Sequence, residues 1–417
     1  MSGGMATVTP ALVRGKEQKS LRAGFIPLMD ASILIIAAEL GFADREGLRI
    51  DLVRDVSWAN VRDRLAFRQF DIAHMLSPMP VASMLGLGSN PSPTIAPFSL
   101  GRGGNAITLS VRIFERMRSL TGLADDAGAL ANAQALAAVL RDMQARGEPS
   151  PTLGMTYPFS SHNYEFRYWL AAGGIDPDRD VKLVVVPPPL TSDALAAGAI
   201  DGFCVGAPWN MIASERGSGR IVAAKQDIWP LAPEKVLGLR PDWAEANAET
   251  VSRLIIALDR AARWCDDPDH HDDLAEILSS AQYIAAPREL IRRVLSGEFN
   301  LDAHGTKRVI PDYFLFHRGA ANYPRPNQAL WIYSQMIRWG QATFSAENIA
   351  RAKAAFRPDL YSAALGADAS APLDETGDLE WHSFMDGKAF NPEDLQGYVE
   401  RFDVRSAAGN PDSAQDV

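Results

Sequence analysis

Twice along this chain, short apolar runs alternate with segments of helical spacing, and that alternation limits the possible folds more than any other feature. The first series begins at 21–27 (LRAGFIP), an apolar run closed by Pro27 and read as a buried strand. A helix over 31–40 stops at Gly41, and the alternating run 48–54 (LRIDLVR) is the next strand. Ser57 stands where an N-cap belongs, ahead of a helix through 61–67. A third strand at 70–74 (FDIAH), a helix over 78–85 and a strand at 106–111 (AITLSV) follow. The second series opens with a strand at 152–157 and a helix over 163–172 that ends at Gly173-Gly174. Strands at 181–186 and 202–205 flank a helix at 190–197. Such repeats predict parallel sheets with right-handed crossovers. The rest of the chain returns as helices at 244–264, 274–280, 287–296, 326–339 and 346–354.

Between the two series, residues 119–151 are Ala-rich with helical spacing and read as an inserted or extended helical arm. Residues 366–376, small and polar, read as a linker. The expected architecture is α/β and bilobal, with a cleft between the lobes. Residues 1–20 form a flexible lead, 21–105 lobe I, 106–205 lobe II, 206–365 a helical return to lobe I, and 366–417 a C-terminal segment. In open α/β sheets, ligands lie beyond the carboxyl ends of the strands, so candidate ligand groups are those just after strands.

A chain of 417 residues buries a large core without staples, and Cys204 and Cys265 stand in no CxxC or metal-ligand spacing. The net charge of −10 argues against a broad nucleic-acid footprint, yet leaves room for one buried anion site built from a few donors. The opening MSGGMATVTPALVRGKEQKS has no apolar signal core, no lipobox cysteine and no twin arginine, so the expected location is the cytoplasm. Phosphate-loop, dinucleotide, nucleophile-elbow and zincin motifs are missing. His270-His271, inside DDPDHHDD, reads as a solvated loop before it reads as a metal pair.

Several segments in one order resemble the nitrate/bicarbonate-type solute-binding proteins of ABC transporters. They include GFIPLMDASILIIAAELGFADREGL at 24–48, VSWANVRDRL at 56–65, DIAHMLSPMP at 71–80 and GNAITLS at 104–110. SHNYEFRYWLAAGGIDPDRDVKL at 161–183, VGAPWN at 205–210, EKVLGL at 234–239 and SQMIRWGQ at 334–341 continue the series. In particular the chain resembles the NasS-type nitrate/nitrite sensors, which share that design without an export signal. The resemblance implies a type II periplasmic-binding-protein (venus-flytrap) fold that closes on nitrate or nitrite, with no catalysis and no cofactor. It also implies a partner, a NasT-like RNA-binding antiterminator held without ligand and released with it. The alternative is the substrate-binding component of a nitrate/bicarbonate-type ABC transporter. A third possibility, a thiamine-pyrimidine synthase on the same fold, implies a Cys-rich iron motif that two distant cysteines do not supply.

The family's ligand contacts fall on Trp58, Gly104, Asn105, His162 and Lys235, with Asn105 where the transporter pattern has Gln. The chemistry of these residues agrees. Nitrate is planar, monovalent and rich in acceptors, so it needs N–H donors and about one positive charge. Lys235 supplies the charge, His162, Trp58 and Asn105 the donors, and Gly103-Gly104 close backbone approach. Carboxylates nearby are expected to oppose binding. Outside the resemblance each residue has an ordinary reading: Trp58 as partial core, His162 as a cap, Lys235 as a solvated loop charge, the two glycines as a turn. Trp209 lines the cleft or packs a hinge, and His74 reads as a hydrogen-bonded core histidine.

Overall fold

The structure, a computed structural model, describes residues 18–90, 92–230, 232–369 and 384–406. Lobe I is built first, from strands β1 (Lys19–Phe25), β2 (Leu48–Arg54), β3 (Ile72–Leu76) and β4 (Ile95–Ser99). The chain then crosses over through a short β5 (Arg102–Gly103). Lobe II follows with β6 (Asn105–Ser110), β7 (Thr152–Met155), β8 (Lys182–Val185), β9 (Gly202–Gly206) and β10 (Gly219–Ala224). From Lys225 the chain leads back, and β11 (Lys235–Leu239) re-enters the first sheet. The sheet orders are β2-β1-β3-β11-β4 and β10-β6-β9-β7-β8. The expected bilobal α/β fold is present.

The sheets are mixed rather than parallel. β1 runs parallel to β2 and β3, but β11 is antiparallel to both β3 and β4. In lobe II, β6 is antiparallel to β9 and to β10. The cause lies at the crossings: β6 and β11 enter their sheets from the other lobe, not from a βα crossover, and so run against their neighbours. Lobe II also runs on to Ala224, because β10 belongs to its sheet, rather than closing at residue 205. Lys235, expected in a loop, opens a strand, and residues 19–20, expected in the flexible lead, belong to β1.

Residues 119–151, expected as an inserted or extended helical arm, are packed into lobe II. They complete one helix, Val111–Thr121, and make a second, Ala129–Ala145, whose alanine face is buried. The small side chains let it lie against the helix Ser161–Ala172: the Trp169 indole donates to the Ala129 carbonyl at 2.8 Å. A Cβ on Gly173 would come within 2.6 Å of the Ala133 backbone. One apolar cluster runs from Trp58 and Met79 of lobe I, through Leu109 and Trp169 of lobe II, to Tyr398 and Phe402 near the C-terminus. Among the described residues, no helix is long and apolar enough to cross a membrane, and no group of His, Cys, Asp or Glu is arranged to hold a metal. His270 instead stacks on Trp264, ring centroids 4.5 Å apart.

Candidate functional site

The carboxyl end of β1 delivers Asp30, and the first residue of β11 delivers Lys235, whose ammonium lies 2.8 Å from the Asp30 carboxylate. His74, on β3 between them, places Nε2 2.8 Å from the other Asp30 oxygen. Trp58 begins the helix Trp58–Ala66 and meets His74 edge-on at 5.2 Å, with the Lys235 ammonium 5.7 Å from its ring. Ser57 occupies the N-cap position but makes no side-chain capping bond. Asp55 orders that turn instead, accepting from the Val56 and Ser57 amides and from the Asn60 side chain.

Lobe II brings the facing half. The helix Ser161–Ala172 is capped by Ser160, which accepts from the Asn163 amide at 3.0 Å. That cap fixes its first turn, where His162 pairs through Nδ1 with Thr156 at 3.0 Å. Glu165, three residues on, shares the same helix face. Asn105, the first residue of β6, donates to Glu165 at 3.0 Å and to Glu234 at 2.5 Å. Lys225, just past β10, reaches Glu234 at 2.6 Å and Glu165 at 3.1 Å.

These groups form one closed network across the lobes. Asn105, His162 and Lys235 are each 0% exposed. Charges so deeply buried persist only when paired and hydrogen-bonded, because desolvation costs several kcal/mol per ion. Burial works against ionisation of Glu234, yet Lys225 and Lys235 outweigh it and hold its carboxyl below the usual range. Asp30 is lowered in the same way, burial being overcome by Lys235 and His74. Lys235 answers by rising above its ordinary value, desolvation being outweighed by Asp30 and Glu234. For Glu165 burial wins over Lys225, and its pKa is pushed up to about 7. Burial, with Lys235 nearby, pushes His162 down to about 3, so it is a neutral imidazole at pH 7. His74 is also lowered by burial, against the pull of Asp30.

Of the residues expected from sequence, Trp58, Asn105, His162 and Lys235 meet here. Trp58 Nε1, His162 Nε2 and Asn105 Oδ1 are buried and make no hydrogen bond within the described residues. Gly104 is different. Its amide donates to the Tyr313 carbonyl at 2.9 Å, so it is not free for an anion. What the position requires is a φ of +91° and room for the Phe314 ring, which a Cβ would meet at 2.2 Å. Trp209 is half-buried between the apolar clusters of both lobes.

The sequence reading missed Asp30, Ser161, Glu165, Lys225 and Glu234, and expected a site without carboxylates. Three carboxylates are present. Asp30 and Lys225 each follow a strand, where the strand-end rule points, and Glu165 lies one turn beyond His162. Glu234 adjoins Lys235 in sequence, a pairing that ordinarily marks solvent.

Residues 14–279 match the NMT1-like family. The chain is also 32% identical to the nitrate/nitrite binding protein NrtA of Synechococcus elongatus, over 96% of this chain and 90% of that protein. This chain belongs to the NMT1-like, NrtA-related solute-binding family. The crystal structure of the periplasmic nitrate-binding protein NrtA from Synechocystis PCC 6803 superposes with a TM-score of 0.84 at 29% identity, covering 93% of this chain and 99% of that one. The nitrate import ATP-binding protein NrtC of Synechocystis sp. is 36% identical over 94% of this chain, which spans 56% of that longer protein. The buried network lies where the chain passes between the two sheets, with Asn105 opening β6 and Lys235 opening β11.

Proposed function

We propose that this chain is a nitrate/nitrite sensor that binds one small oxyanion between its lobes and performs no catalysis. The observation that carries the reading is the meeting of Trp58, Asn105, His162 and Lys235 at one fully buried point fed by both lobes. Lys235 brings the charge, and the unpartnered Trp58 indole N–H is a donor waiting for an acceptor. A neutral His162 gives one N–H and takes one, which suits an anion too weakly basic to hold a proton. The set contains no nucleophile with an adjacent base.

Binding becomes regulation through closure. An anion gripped from both sides stabilises the closed arrangement, and a partner that prefers the open one is released in proportion. Moving that partner from 99% bound to 99% free takes about 5.5 kcal/mol of differential affinity. In this reading the protein is cytoplasmic, and the partner is a NasT-like RNA-binding antiterminator, held without ligand and freed by nitrate or nitrite. The test is calorimetry on anion-free protein with nitrate, nitrite, bicarbonate and chloride, followed by gel filtration of the protein mixed with the antiterminator. Micromolar nitrate or nitrite binding that dissociates the complex is the expected result. A complex that nitrate leaves intact excludes the sensor role. The near full-length match to NrtA favours a second reading, the binding component of an anion importer. That reading is favoured if the anion binds and no antiterminator complex forms.

A further inference from the structure

One carboxylate collects the donors that the anion needs. Glu234 receives Lys235 and Lys225, the latter at 2.6 Å, the Ser161 hydroxyl at 2.9 Å and the Asn105 amide at 2.5 Å. His162 Nε2 stands 3.6 Å from it. Three of these five groups, Asn105, His162 and Lys235, are those assigned to nitrate above. A carboxylate, like nitrate, is planar, carries one negative charge and offers its oxygens in that plane. Glu234 makes with these donors the contacts an oxyanion would make.

The charge balance points the same way. The network holds two ammonium groups, Lys225 and Lys235, against three carboxyl groups, Asp30, Glu165 and Glu234. With His74 and His162 neutral, the closed site has no positive charge to spare. A further anion added with Glu234 still in place would leave uncompensated negative charge in a region without solvent, which is strongly unfavourable.

We infer that Glu234 is an internal stand-in for the anion: it occupies the donors in the ligand-free protein, and the bound oxyanion takes them over by displacing it. This rests on the anion-binding reading proposed above. The competition sets the nitrate concentration at which the protein responds, because ligand affinity is lowered by the strength of the Glu234 contacts.

The experiment is calorimetric titration with potassium nitrate at pH 7.5 of the native chain, Glu234→Gln and Glu234→Asp, with folding checked by circular dichroism. Removing the competing charge is expected to lower the Kd about tenfold or more in Glu234→Gln. Glu234→Asp, whose carboxylate is one methylene short of the donors, falls between. A Kd that is unchanged or higher in Glu234→Gln overturns the proposal while native binding preserves the function. Silence in all three chains removes the function itself and this inference with it. Glu165 carries the competing explanation, since it could take a proton while Glu234 stays. Lys225, Glu234 and Asn105 face its carboxyl, and the Cys204 thiol and the Tyr313 hydroxyl lie within its electrostatic reach. Nitrate affinity that weakens about tenfold per pH unit above pH 7, and that Glu234→Gln does not change, identifies that route and overturns the proposal. Where Glu234→Gln does not fold, carbon-13 carboxyl resonances of the native protein decide: the Glu234 signal moves on nitrate saturation, and a stationary signal is contrary.

Discussion

At the residue scale, Lys235 has two tasks, and one substitution separates them from an ordinary surface lysine. Lys235→Ala leaves Asp30 and Glu234 short of a cation in a buried site, so stability should fall by about 3–5 kcal/mol in urea titration. Nitrate binding should disappear by calorimetry. A stable variant that still binds nitrate would place the anion elsewhere. His162 gives a pH signature. Its folded pKa is about 3 against an ordinary 6.5, so between those values the unfolded chain binds the extra proton. Stability from this group is therefore lost as pH falls from 6.5, by about 1.4 kcal/mol per pH unit. Glu165 acts oppositely: raised to about 7 from 4.5, it keeps a proton in the folded state across that window, and its effect lowers stability as pH rises. His162→Gln should thus reduce the slope of stability against pH between 4.5 and 6.5 by about 1.4 kcal/mol per unit, and Glu165→Gln should increase it. Unfolding midpoints measured across pH 4–8 would reveal both. Asn105 and Lys235, which meet in this network, were named in sequence through the family resemblance, whereas the second cation, Lys225, was not. The acids were not, because whether Glu234 faces water or Lys225 depends on the return of the chain from the other lobe, which no local pattern encodes.

Elements were readable where periodicity and stop signals coincided. The run 48–54 is β2, residue for residue, and Gly41 ends the first helix as expected. β10 and β11 escaped because both are buried on all sides and so show no alternation, while Pro233 and Gly238 make β11 resemble a loop. The alanine-rich stretch was read as helical, and the helix Ala129–Ala145 lies within it. The buried alanines of Ala129–Ala145 form the thin face that lets this helix approach the helix Ser161–Ala172. Gly173 and Gly174 test this. Gly173→Ala drives a methyl into the Ala133 backbone and should cost about 1–3 kcal/mol. Gly174, at φ +84° with open space around its Cβ position, should cost about 1–2 kcal/mol when replaced by Ala, through backbone strain alone. A nearby Ala133→Gly change removes the Cβ at 2.7 Å but leaves the backbone at 2.6 Å, so it should relieve Gly173→Ala only in part and leave Gly174→Ala unaffected; equal relief of both would show that packing is not the cause.

At the scale of the whole molecule, the lobes are joined by more than two crossing strands. Residues 384–406 tie the return segment, the lobe II helix and the helix Pro326–Arg338 together. Phe384 stacks on Trp229 at 4.8 Å, and the Tyr168 hydroxyl donates to Asp386 at 2.7 Å. The Arg338 guanidinium lies 3.6 Å over the Phe402 ring and donates to the Val404 carbonyl at 3.1 Å. Burial, only partly offset by Tyr168, Tyr398 and Asp386, pushes the Arg338 pKa down to about 10. Because the helix Pro326–Arg338 also packs on the helix Pro78–Met84 of lobe I, the C-terminal segment belongs to a core shared by both lobes. Phe402→Ala should therefore lower stability by about 3–5 kcal/mol while unfolding stays a single transition, read by fluorescence and by far-ultraviolet circular dichroism together. Two separated transitions in the variant would mean that this ring alone holds the lobes to one cooperative unit. A single, shifted transition places the coupling in the apolar cluster that runs from Trp58 to Phe402, the same cluster that walls the buried network on its lobe I side.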